Sequence, residues 1–141
     1  MKIDMSPIGV FYTDEKNIPR HWSISEVEGR LEINPVYTEG LKDMAAGQKI
    51  IVLFYFHQSR KFEPEHVIQT PPHKPKPMGV FSICSPLRPN PIGLSVLTVL
   101  GVTKNIVSVK HADMLDGTPI LDIKPHIIQK TECPGCSQGN G

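Results

Sequence analysis

With 15 Lys+Arg against 14 Asp+Glu in 141 residues, a formal net charge of +1, the chain has no bulk field to hold it to nucleic acid, so any such affinity must come from a local basic patch or a deep site. The length is that of one domain able to bury its own core. No apolar run approaches the ~20 residues of a membrane span and the N-terminus MKIDMSPIG lacks the apolar core of a signal peptide, so a cytoplasmic protein without membrane contact is expected.

Fourteen prolines and eleven glycines predict many turns and few long helices. Ile8 to Thr13 (IGVFYT) reads as a first strand and Asp14 to His21 as a loop broken by Pro19. Trp22 to Val27 alternates as a short extended segment, Glu28-Gly29 turns, and Arg30 to Asn34 is a strand with one wet face. Tyr37 to Ala46 is the helix candidate, with Thr38 as N-cap, Leu41 and Met44 spaced by three, and Gly47 as its stop. Lys49 to His57 (KIIVLFYFH), β-branched and aromatic on both faces, is expected to be a central strand delivering His57 and Gln58 to a corner. Lys61 to Met78 holds five prolines together with Lys61, Lys74 and Lys76. It reads as a long irregular loop, either a grip on an RNA backbone or, on the plainer reading, a stiff solvated loop or a dimer arm.

Gly79 to Ile83 returns as a strand and leads into Arg88-Pro89-Asn90-Pro91. The prolines fix their own φ and bias the preceding residues to extended geometry, so Arg88 and Asn90 are expected to project to one side. The segment is a pre-organised ligand wall or, on the plainer reading, a Pro-rich surface turn. Ser95 to Thr103 and Ile106 to His111 form a hairpin about Lys104-Asn105, Asp116-Gly117 makes a turn, and Pro119 to Lys124 is the last strand. The sum is an all-β or β-rich barrel of about seven strands with one short helix. A barrel domain over 1–130 and a flexible tail over 131–141 are expected. Cys133-Pro-Gly-Cys136 in that tail has metal or redox spacing but no second pair, so no metal ligands are assigned. No Gly-x-Gly-x-x-Gly, Walker A, His-Glu-x-x-His or Gly-x-Ser-x-Gly motif is present.

The strings RPNPIGLS (Arg88 to Ser95), IVLFYFHQ (Ile51 to Gln58) and DMLDGTPILDIKP (Asp113 to Pro125), in this order, resemble the TsaA-like family, whose characterised members are tRNA N6-methyladenosine methyltransferases of TrmO type using S-adenosyl-L-methionine. The resemblance runs from about Ser6 to Ile128 and implies a single-sheet β-barrel, a homodimer with its pocket near the subunit boundary, and tRNA rather than DNA as partner. It also implies a cofactor corner at His57 and Gln58. Relatives commonly carry a basic residue in place of Tyr12 and an arginine in place of Cys84, and longer members carry a further C-terminal domain.

On that basis Arg88 suits a carboxylate or phosphate, Asn90 a ribose or adenine, and the backbone of Leu94 and Ser95 an adenine edge. Adenine N6 is a weak nucleophile whose proton needs an acceptor. Of Asp113, Asp116 and Asp122, the expectation falls on Asp122 or Asp116, with Lys124 near phosphate or as an ion-pair partner. The plainer alternative makes Asp116 a turn residue and Asp122 and Lys124 a scaffold ion pair. Tyr55 is a stacking candidate, and Lys74 and Lys76 are candidates for the RNA backbone. A methyltransferase on a different small acceptor and a non-catalytic cofactor- or RNA-binding module are the competing functions.

Overall fold

The computed structural model describes residues 1–127; the Cys133-Cys136 pair and the expected tail lie outside the described residues. Six antiparallel strands close into a barrel in the order β1-β2-β7-β6-β3-β8, with β8 pairing back onto β1. These are β1 (Gly9–Tyr12), β2 (Glu28–Ile33), β3 (Lys49–Tyr55), β6 (Ile92–Thr103), β7 (Ile106–Lys110) and β8 (Thr118–Pro125). Closure gives every barrel strand a neighbour on each side, although β6 pairs with β7 only from Thr98 onward, leaving the other edge of Ile92 to Leu97 without a strand partner. A separate two-stranded sheet pairs β4 (Ile68–Gln69) with β5 (Met78–Gly79).

Alternation sets the interior. In β3, Ile50, Val52 and Phe54 are buried, while Ile51 and Leu53 are half-buried and Tyr55 is exposed on the outer face. In β2, Leu31 and Ile33 point inward, and Arg30 and Glu32 form an outward ion pair at 2.9 Å. With Phe11, Leu97, Val99, Val107, Val109 and Ile120 they make one continuous core. Each such side chain contributes about 1.5–3 kcal/mol through burial.

Several expected elements differ. Glu28-Gly29, expected as a turn, opens β2, and the strand expected over Gly79 to Ile83 ends at Gly79. The helix over Tyr37 to Ala46 is instead a 3-10 helix over Pro35–Leu41, capped by Asn34, whose side chain accepts from the Val36 N–H. Pro35 presets the first helical φ, Thr38 donates its hydroxyl back to Pro35 O rather than capping, and Asp43 at φ 73 ends any continuation. Trp22 to Ile24 is a 3-10 turn and not extended, held by Ile24 and Ser25 N–H groups donating to His21 and Trp22 carbonyls. The segment from Lys61 is not shapeless: a 3-10 turn over Pro64–Val67 leads into β4, and the chain returns as β5, which stops at Gly79 before another 3-10 turn over Val80–Ser82.

The hairpin at Lys104-Asn105 forms as expected, Asn105 Nδ2 donating to Ile33 O at 2.7 Å to pin it to β2. The β1–β2, β3–β6 and β7–β8 connections, residues 13–27, 56–91 and 111–117, therefore all emerge at one mouth of the barrel. The β2–β3 connection and the β6–β7 hairpin lie at the other.

Candidate functional site

The mouth carrying the three long connections is built from tight local turns. Gly117, at φ 85, lets the β7–β8 connection reverse, and its N–H donates to Phe11 O at 2.8 Å. Asp116 Oδ1 accepts from the Thr13 N–H at 3.0 Å, and Thr13 Oγ1 donates to Glu28 O at 2.8 Å. Asp116 thus stitches two connections together, and it also lines a cavity of about 540 Å³ with Thr13, Asp14, Glu15, Lys16, Ile18, Gln58 and Leu115. Three carboxylates against one lysine make this cavity suited to a cationic group.

The Arg88 to Pro91 segment sits beside it and is fastened from several directions. Phe56 N–H donates to Pro91 O at 2.8 Å, Ser59 Oγ to Pro86 O at 3.2 Å, and Gln69 Nε2 to Leu87 O at 2.7 Å. Arg88 is half-buried, and its Nη1 donates to both Ile83 O and Ser85 O at 3.1 Å. Its guanidinium therefore organises the loop that carries it. The extended strip expected over Arg88 to Asn90 does not form: residues 88–90 bend, the Ile92 N–H donates back to Asn90 O at 2.7 Å across Pro91, and Asn90 is exposed. His57 is half-buried next to exposed Gln58, their Nε2 atoms 3.5 Å apart.

Deeper in the mouth, Ser95 is fully buried on the inward face of β6 and its hydroxyl donates to Asp113 Oδ1. Burial pushes the Asp113 carboxyl up from the ordinary carboxylate range; the Ser95 hydroxyl, the charge of His21 and main-chain N–H groups of Asp113 and Trp22 act against that rise without cancelling it. A half-buried carboxyl that keeps its proton more readily than usual is a marker of chemically active positions. The sequence offers Asp113 among the carboxylates but places the weight elsewhere, because its burial against Ser95 is a tertiary fact invisible in the string DMLDGT.

The other expected residues are distributed. Asp122 and Lys124 form an ion pair at 2.8 Å on the outer wall, Asp122 also accepting from the Ile123 N–H. Both line a second cavity of about 800 Å³ at the opposite mouth, with Tyr37, Leu41, Met44, Lys49 and His126. The structure thus separates Asp122 and Lys124 from Asp116, each group belonging to its own cavity. Tyr55 and Leu94 are exposed on the outer face, where β3 and β6 pair Tyr55 with Ile92 and Leu53 with Leu94. Lys74 and Lys76 are exposed at the tip between β4 and β5. Cys84 is exposed, and Arg30 sets a guanidinium 5.1 Å over the Tyr12 ring. Among the described residues no group of three or more His, Cys, Asp or Glu could hold a metal ion, and no helix is long and apolar enough to cross a membrane.

Comparison with known proteins places these features in a lineage. The chain is 38% identical over 125 residues to a probable S-adenosyl-L-methionine-binding protein of Pyrococcus abyssi, covering 86% of this chain and 66% of that one. It is 42% identical over 76 residues to a tRNA (adenine(37)-N6)-methyltransferase of Mus musculus, covering 54% of this chain and 18% of the mouse protein. A crystal structure of TrmO superposes with a TM-score of 0.74 at 30% identity, covering 99% of this chain and 64% of that one. The chain therefore spans less than two thirds of the length of each of these three relatives. The model of the tRNA-methyltransferase O N-terminal domain matches residues 8–131, every barrel strand and all three connections of the polar mouth included, and the chain belongs to that family.

Proposed function

We propose that the chain binds S-adenosyl-L-methionine at the polar mouth and methylates the exocyclic N6 of an adenosine beside the anticodon of a tRNA, in the cytoplasm. The observation that carries this reading is the juxtaposition, at one mouth, of an acidic cavity walled by Gln58 with the fastened Arg88 loop. When bound, S-adenosyl-L-methionine supplies a methyl group on a sulfonium, together with an ammonium, a carboxylate, ribose hydroxyls and adenine. Asp14, Glu15 and Asp116 suit its cationic groups. The part of the Arg88 fork not used by Ile83 O and Ser85 O suits its carboxylate, and His57, Gln58 and Asn90 suit its hydroxyls and base. Leu94 and Ser95 lie on the adjoining strand, and the backbone there offers an adenine edge its partners. A rigid loop matters because methyl transfer demands alignment more than covalent help.

The exposed lysines Lys74 and Lys76, at the tip of the β4–β5 arm, suit the RNA backbone, and Tyr55 a base on the outer face. A second copy covering the exposed Tyr55, Ile92 and Leu94 would bring a neighbouring barrel close to this mouth; these residues are 43%, 37% and 51% exposed, an apolar row that water wets poorly. The test is calorimetric titration of the whole chain with S-adenosyl-L-methionine, beside Gln58→Ala and Asn90→Ala. Both side chains are exposed, so their loss leaves the fold intact. Saturable binding weakened by either change supports the site. Absence of binding by the wild type, with and without tRNA, overturns it.

A further inference from the structure

Three carboxyl groups are candidates for receiving the proton that N6 gives up, and their surroundings differ. Asp116 spends Oδ1 on the Thr13 N–H and holds two connections together. Asp122 is neutralised by Lys124 at 2.8 Å and belongs to the opposite cavity. Asp113 is different: it is half-buried at the polar mouth, makes no ion pair among the described residues, and is oriented by a hydroxyl that is itself fully buried.

We propose that Asp113 is the catalytic residue that takes the N6 proton, with Ser95 as the positioning residue that aims its carboxylate. This rests on the methyltransferase reading above. The amine nitrogen forms its bond to the methyl carbon as the carbon–sulfur bond breaks, and that pair stays on sulfur as a neutral thioether. The proton displaced from nitrogen passes to a carboxylate oxygen of Asp113, so charge and atoms balance with no further reactant. Asp113 suits the task because it is aimed by the buried Ser95 hydroxyl at the polar mouth, and burial raises its affinity for a proton above that of an ordinary aspartate, which makes its carboxylate the stronger base. His21, on the β1–β2 connection, is the titratable group whose charge acts on Asp113; β6 presents the neutral Ser95, and Trp22 a main-chain N–H.

The plainer role for the same contacts is a strut tying the β1–β2 connection to β6. Asp113→Asn separates the two, since its amide oxygen still accepts from Ser95 and keeps the strut. Two readouts are needed on the whole chain: the carboxyl carbon resonance of Asp113 followed through a pH titration of the protein alone, and steady-state methyl transfer to tRNA across pH. The expected result is a carboxyl titrating above the ordinary aspartate range, a ~10²–10⁴-fold loss of kcat in Asp113→Asn, loss of the acidic limb of the pH profile, and S-adenosyl-L-methionine affinity within about twofold of wild type. An active wild type with an Asp113→Asn variant that keeps kcat and the same pH limb overturns the inference and leaves the methyltransferase reading standing. So does a carboxyl that titrates normally. A wild type that binds the cofactor but transfers methyl to no RNA overturns both.

Discussion

Gly93 is where the barrel and the site meet, and replacing it with alanine is the sharpest test of the packing described above. It lies on the inward face of β6 opposite Phe54. A Cβ there would sit 2.3 Å from Phe54 Cζ, 2.5 Å from Phe54 Cε2 and 2.8 Å from Phe56 Cζ. Ordinary carbon contacts begin near ~3.5 Å, so both rings must retreat. Phe54 is 4% exposed and cannot swing outward, and Phe56 is stacked edge-on to it at 5.1 Å while its N–H holds Pro91 O. Overpacking of this kind costs about 1–3 kcal/mol. Replacing glycine recovers about 0.4–1 kcal/mol through the unfolded chain, leaving a net loss of about 1–2 kcal/mol. For a domain of this size that lowers Tm by about 3–10 °C. Urea and thermal unfolding of Gly93→Ala, Phe54→Leu and the double variant measure it. The double variant should be more stable than the sum of the singles predicts, because the smaller side chain makes room. An alanine variant as stable as wild type, or singles that add within about 0.5 kcal/mol, would refute the packing argument.

Asp113→Asn has a stability consequence separate from catalysis. The native carboxyl binds its proton more tightly than the unfolded one, whose reference value is 3.8. The folded state therefore holds more protons in the window between the two, and wild-type stability falls as pH rises through it. The asparagine variant lacks that fall, so urea midpoints across pH should show its advantage growing from pH 3.8 upward and then levelling; a deficit that grows instead would contradict the burial argument. Gly117→Ala, forced into φ 85, should destabilise by about 1 kcal/mol or more and loosen the Asp116–Thr13 stitch, read as faster amide exchange at Thr13. For Lys74→Ala/Lys76→Ala, tRNA affinity should fall and the slope of log K against log salt should flatten by about 0.7–0.9 per lost phosphate contact. An unchanged slope would remove the β4–β5 arm from the RNA interface.

What was legible in the sequence follows from how local the cause is. The strands expected over Arg30 to Asn34 and Lys49 to His57 alternate or concentrate β-branched residues, a signal carried in a few neighbouring positions, and they form as Glu28–Ile33 and Lys49–Tyr55, the first taking in Glu28-Gly29, which had read as a turn. The Lys104-Asn105 and Asp116-Gly117 turns were equally local. Tyr37 to Ala46 misled because leucine and methionine spacing suggested a helix that Pro35, Gly40 and the left-handed Asp43 cut to a 3-10 turn. Ile68 and Met78 gave no warning of pairing, since a two-residue ladder closing a proline-rich arm has no periodicity to read. For the site, stiffening around Arg88 and Asn90 was visible in the prolines. That the Arg88 guanidinium would bind its own loop carbonyls, and that Asp113 would be buried against Ser95 eighteen residues away, depended on closure of the barrel, which no window of sequence contains.

The measurement that bears most directly on the account is transfer of isotope-labelled methyl from S-adenosyl-L-methionine to tRNA by the purified chain, with the product nucleoside resolved by mass spectrometry. The account predicts label on the exocyclic N6 of a single adenosine beside the anticodon, lost in Asp113→Asn and retained in Lys124→Ala. Label on another atom or a small acceptor, or binding of the cofactor with no transfer at all, would contradict it.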